Sequence, residues 1–216
     1  MRIAVITGGP LFPEAESIAR DADQVFCADS GLDHCIRFGI KPDRVFGDMD
    51  SVSGEGLEFL KRLQIPVVIF PPEKDVTDSD IALEACGLSD EVTLICPLEG
   101  RIDHVVTNLG LLIKYKKTGL NVTATDGRTD VIPLTGKEKI SIGGISDPSH
   151  TAISLIPMCC DKVEGVTTEG LYYALTDSTI YPDSSLYVSN RLTDGNDSFS
   201  VSILSGSMVV TISKNV

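Results

Sequence analysis

The sequence has no tryptophan, no Cys-x-x-Cys pair and no apolar run approaching the roughly 18 residues that a membrane-spanning helix needs. Its six cysteines, at 27, 35, 86, 96, 159 and 160, are scattered and lie mostly inside apolar runs such as VFCAD. That excludes a zinc site of the usual spacing and a disulfide framework, and reduced, buried thiols point to a cytoplasmic chain. The opening MRIAVITGGP has too few apolar residues before Gly8 and Gly9 to be a signal sequence. Positive charge is scarce: 18 Lys and Arg stand against 31 Asp and Glu, a net charge of −13. Nucleic-acid backbones and anionic membranes are therefore not expected as partners. Internal repeats and low-complexity tracts are also missing.

What is present is an ordinary globular composition, 42% hydrophobic and 23% charged, in 216 residues, enough for one large domain or two small ones. Short apolar runs at 2–7, 24–28, 44–47, 66–70 and 91–96 alternate with helical patterns at 14–20, 31–38, 54–63, 78–86 and 103–117. This rhythm predicts βα repeats around a mostly parallel sheet. The last helix carries Val105, Leu109, Leu112 and Ile113 on one stripe and ends at Gly119. Beyond residue 140 Ser and Thr number 21, against 15 before it, and helical periodicity disappears. The runs TAISLIP, KVEGVTT, SLYVSN, FSVSIL and SMVVTIS read as antiparallel strands. The expected fold class is α/β, an N-terminal mostly parallel sheet with flanking helices followed by a C-terminal all-β sandwich. The boundary falls within 125–140, giving domains 1–130 and 131–216.

Both halves are acidic, yet the aspartates of residues 29–80 gather where predicted strands end: Asp29, then Asp48 and Asp50, then Asp75, Asp78 and Asp80. In an open parallel sheet the carboxyl ends of the strands line the ligand crevice, so these loops converge on one rim. Gly47-Asp48-Met49-Asp50-Ser51 is the sharpest element. Carboxylates two apart on an extended segment share a side and offer hard oxygens suited to Mg²⁺, although a solvated turn or helix N-cap uses the same residues. In Lys74-Asp75-Val76-Thr77-Asp78-Ser79-Asp80, Thr77 and Asp80 resemble a capping box, which leaves Lys74 and Asp75 unexplained by helix initiation. Gly100-Arg101-Ile102-Asp103-His104 opens the longest helix, with Asn108 one turn on. Arg101 there is poorly placed for the helix dipole and well placed to share a phosphate with free backbone N–H groups, while Asp103 is a normal first-turn residue.

The ordered series Ala28-Asp29-Ser30-Gly31, GDMDS, Lys74 to Asp78, and Gly100 to His104 with Asn108 resembles the thiamine pyrophosphokinase family. Thr168-Glu169-Gly170-Leu171-Tyr172-Tyr173 and Val188-Ser189-Asn190 resemble that family's C-terminal segments, so the likeness covers nearly the whole chain. The resemblance implies an α/β domain plus a β-sandwich in a homodimer with shared sites. It implies transfer of pyrophosphate from ATP to the hydroxyethyl group of thiamine. By the same resemblance Asp48, Asp50 and Asp75 hold Mg²⁺. Arg101 and Lys74 meet the phosphate charge, and Asp78 and Asp103 complete the catalytic set. Asp29, Ser30, Ser51, Thr77, His104 and Asn108 then border the substrates, with Ser189 and Asn190 reaching thiamine from the partner. Departures are visible: Cys96-Pro97-Leu98-Glu99 stands where the family is glycine-rich, Ser30 replaces a glycine and Met49 a phenylalanine. Without tryptophan, an aromatic cover for thiamine falls to Tyr172, Tyr173, Tyr181 or Tyr187. Two alternatives are a phosphatase using GDMDS as an aspartyl-nucleophile loop and a non-catalytic binder of thiamine or a nucleotide.

Overall fold

The computed structural model describes residues 1–50, 52–70 and 76–214; Ser51, Lys74 and Asp75 lie outside them. Two compact units emerge, Met1–Leu111 with Thr118–Gly127, and Leu112–Lys117 with Arg128–Val216.

In the first unit, β1 (Arg2–Ile6), β2 (Gln24–Ala28), β3 (Arg44–Gly47), β4 (Val67–Ile69), β5 (Glu91–Ile95) and β6 (Asn121–Thr125) form a parallel array in the order β4-β3-β2-β1-β5-β6. Helices α1 (Ala15–Arg20), α2 (Gly31–Phe38), α3 (Gly54–Leu63) and α4 (Asp78–Glu84) connect the strands, and α5 (Ile102–Lys117) follows β5. The strands read as continuous apolar runs because a parallel sheet is covered on both faces; Val5, Ile6, Cys27, Val45 and Leu94 are fully buried. Local chemistry sets the helix ends. Ser53 caps α3 by accepting the Gly56 N–H at 3.0 Å, α2 stops at Gly39 with φ +64°, and α5 ends on Lys114, Lys116 and Lys117, which suit its negative pole.

The predicted helices and first five strands stand within two residues of their expected bounds. The strand at 121–125 was not foreseen: NVTAT is short, and its buried residues are mostly small. All six cysteines are free thiols. Cys27 and Cys35 pack Sγ to Sγ at 3.2 Å in the core of this unit, where burial raises the Cys27 thiol far above its ordinary range.

In the second unit β13 (Ser207–Lys214) pairs antiparallel with β7 (Thr129–Thr135) on one side and β9 (Thr151–Pro157) on the other. A second antiparallel sheet runs β11 (Ser178–Ile180), β10 (Val163–Glu169), β12 (Phe199–Ile203), β8 (Glu138–Ile142). Alternate residues of both sheets meet in one apolar core, among them Ile153, Leu155, Val163, Val201, Ile203, Met208 and Val210. The run SLYVSN is not a strand. Ser189 takes a left-handed φ of +55°, so the segment makes no continuous ladder with β9: Tyr187 O and Asn190 bond its backbone, and Ser189 N donates to the Ser154 side chain at 3.0 Å. Among the described residues no helix is long and apolar enough to cross a membrane.

Candidate active site

Strand β1 sits between β2 and β5, so the chain winds outward from β1 in both directions, and the crevice between the carboxyl ends of β1 and β5 is the natural ligand position. A cavity of about 220 Å³ lies there. Thr7, Gly8, Gly9 and Pro10 form its wall after β1, and Ala28, Asp29 and Ser30 form the wall after β2. Asp78 and Ser79 contribute from the start of α4. The segment from β5 into α5 supplies Pro97, Glu99, Arg101, His104 and Asn108.

Asp29 stands at the turn from β2 into α2 with φ +51°, its N–H donating to Phe46 O at 2.8 Å. Gly47 makes room for it, since a Cβ at that position would stand 2.6 Å from Asp29 Oδ1. The Asp48-Met49-Asp50 segment is not extended. Met49 has φ +67° and Asp48 Oδ1 accepts the Asp50 N–H at 3.1 Å, so a tight turn, rather than strand alternation, brings the two carboxylates round. Carboxylate oxygens of Asp29, Asp48 and Asp50 lie within 4.8 Å of one another. Three such charges repel strongly unless a cation offsets them. Asp29, which the resemblance placed at the border of the substrates, therefore joins the acid cluster, while the third acid expected there, Asp75, lies outside the described residues.

Thr77 caps α4, its hydroxyl accepting the Asp80 N–H at 3.2 Å, so the helix-initiation reading accounts for this residue. Asp80 is buried, and Asp78, in the first turn, faces the cavity.

At the other wall, Arg101 and Asp103 are both exposed and paired, Nη2 to Oδ2 at 2.6 Å and Nε to Oδ1 at 3.3 Å. That pairing is the main reason the Asp103 carboxyl is held below its ordinary range. His104 Nε2 approaches the same carboxylate at 4.0 Å. Asn108 is buried, and burial pushes the Cys96 thiol up to about 12, with Asn108 acting in the opposite direction. The departure noted at 96–99 thus falls on the cavity itself, with Pro97 and Glu99 in its lining.

The family model for the thiamin pyrophosphokinase catalytic domain matches residues 15–124, and that for the thiamin pyrophosphokinase vitamin B1 binding domain matches residues 139–207. The chain belongs to the thiamine pyrophosphokinase family. A thiamine pyrophosphokinase of Bacillus subtilis is 28% identical over 203 residues, 92% of each chain. The crystal structure of thiamine pyrophosphokinase from Bacillus subtilis superposes with a TM-score of 0.86 at 26% identity over the whole of both chains. That of thiamin pyrophosphokinase from Geobacillus thermodenitrificans gives 0.81 at 27%, covering 99% of this chain and 98% of the other.

Of the residues tied to the thiamine pyrophosphokinase resemblance, the structure gathers Asp29, Ser30, Asp78, Arg101, His104 and Asn108 on one cavity, with Asp48 and Asp50 joined to it through Asp29. Ser189 and Asn190 belong to the second unit. There the Asn190 side chain is engaged with backbone, accepting from Tyr173 N at 3.1 Å and Arg191 N at 2.9 Å and donating to Tyr173 O at 2.9 Å. The Thr7–Pro10 turn was not singled out for function, although a Gly-Gly pair immediately after the first strand is the signal that marks it.

Proposed function

We propose that this chain transfers the pyrophosphoryl group of ATP to the hydroxyethyl group of thiamine, yielding thiamine diphosphate and AMP. The observation that carries this reading is the carboxylate cluster of Asp29, Asp48 and Asp50, joined through Asp29 to a cavity that also holds Arg101 and Asp78. Attack of a hydroxyl on the β-phosphorus with AMP leaving in line needs positioning and charge neutralisation more than covalent catalysis.

Mg²⁺ fits the donors present, which are hard carboxylate oxygens gathered closely enough to repel one another without it. Asp29, Asp48 and Asp50 would hold the ion, with Asp75 as a further ligand, and it would offset phosphate charge when bound. Arg101 turns from Asp103 to the phosphates, with Lys74 assisting. Asp78 or Asp103 orients the thiamine hydroxyl or takes its proton. Ser30, Ser51, Thr77, His104 and Asn108 border the substrates, and the cationic thiamine is drawn by the surrounding acid. We further infer a cytoplasmic homodimer in which Ser189 and Asn190 of one protomer border thiamine in the site of the other.

The deciding experiment incubates the protein with ATP, Mg²⁺ and thiamine and separates the products. Thiamine diphosphate with equimolar AMP supports the reading. Free phosphate alone would replace it with a phosphatase, although such a site needs its Asp-x-Asp at the end of the first strand and here the pair follows β3. Tight binding without turnover would make the chain a non-catalytic binder.

A further inference from the structure

The Gly8–Gly9 turn is wedged between two neighbours. A Cβ on Gly8 would stand 1.9 Å from Ser30 Oγ, and one on Gly9, where φ is +99°, would stand 2.6 Å from Pro97 Cγ. Both glycines are needed for this close approach. The same turn receives a directed bond from α2: His34 Nε2 lies 2.7 Å from Gly9 O. Since a carbonyl oxygen only accepts, the imidazole carries its hydrogen on Nε2 and donates.

The ring is itself held. His34 follows Ser30 by one helical turn and stacks on Phe38, a turn further on, with centroids 5.9 Å apart and an interplanar angle of 26°. It is half-buried, and burial lowers its titration from the ordinary histidine range, which favours the neutral ring at physiological pH.

We propose that His34 is a positioning residue for the nucleotide: by its bond to the Gly9 carbonyl it fixes the Gly8–Pro10 turn as the cavity wall at the end of β1. The role rests on the pyrophosphoryl-transfer reading. It differs from a packing role because it runs through one donated hydrogen bond, and a glutamine amide reaches about as far as the imidazole Nε2 whereas an asparagine does not.

The test compares wild type, His34→Ala, His34→Asn and His34→Gln by calorimetric titration with ATP and Mg²⁺, by steady-state kinetics in ATP and in thiamine, and by thermal unfolding. His34→Ala and His34→Asn should weaken ATP binding and raise its KM about fivefold with the KM for thiamine unmoved, and His34→Gln should recover most of the loss. ATP affinity within twofold of wild type in His34→Ala, a His34→Gln as impaired as the alanine, or equal changes in both KM values would each overturn the proposal. If His34→Ala does not fold, His34→Gln against His34→Asn decides. A wild type that binds ATP and makes no thiamine diphosphate would defeat the activity reading while the ATP titrations still judge His34; a wild type that binds no ATP would end both.

Discussion

Arg101 and Asp103 grip one another through two hydrogen bonds, at 2.6 and 3.3 Å, on the exposed rim of the cavity. A guanidinium held by a carboxylate is already oriented for a bidentate anion, and phosphate is the better anion for that fork. Replacement Arg101→Ala should lower kcat by about 10²-fold or more while the KM for thiamine changes little. Both side chains are exposed, so stability should stay within about 0.5 kcal/mol. A larger effect on thiamine affinity than on turnover would remove Arg101 from the phosphate site.

The same pair makes a pH prediction. Asp103 is depressed in the folded protein, so its pairing is complete above the unfolded carboxylate pKa and is lost as pH falls through the lower folded value. Arg101→Ala removes the largest cause, and the Asp103 carboxyl should titrate closer to the ordinary aspartate value. NMR detection of the carboxyl carbon reads this directly, and an unmoved titration would contradict the pairing.

Asp50 is exposed, so Asp50→Asn should fold normally. It removes one carboxylate from the cluster with Asp29 and Asp48, and turnover should fall about 100-fold or more because metal-assisted charge neutralisation is worth several kcal/mol. Added Mg²⁺ should raise the melting temperature of wild type and do so far less in the variant. Near wild-type turnover would rule out the metal role.

Asn190 is buried and makes three hydrogen bonds to backbone atoms of Tyr173 and Arg191. Asn190→Ala strands those groups and should cost about 1–3 kcal/mol in urea unfolding without any substrate. If Asn190 served only to border thiamine, the substrate-free stability would not move.

Two glycines should respond in opposite directions. A Cβ on Gly31 would stand 2.1 Å from Ile6 O, so Gly31→Ala forces backbone apart where α2 meets β1 and should destabilise by about 1–3 kcal/mol. Gly54, at the start of α3, has open space around it, and Gly54→Ala should be neutral or stabilising by up to about 1 kcal/mol. Denaturant midpoints of the two variants check both.

The sequence alone determined the parallel first half, because strands covered on both faces must be apolar throughout and the helices between them carry their own caps and stripes. It also marked the acid-bearing strand ends, since short strand-to-helix connections leave little choice about where those residues lie. Its account of Asp48 and Asp50 found the right residues through the wrong geometry: a left-handed Met49, which no residue pattern announces, does the work assigned to strand alternation. The second half was less legible. SLYVSN has a strand's composition, but one left-handed serine, fixed by contacts with β9, breaks the ladder. Only the tertiary structure decided that Asp29 joins the carboxylate cluster, that Asn190 spends its amide on Tyr173, and that His34 reaches Gly9 across 25 residues. These depend on distances between separate elements, and periodicity carries information only within one element.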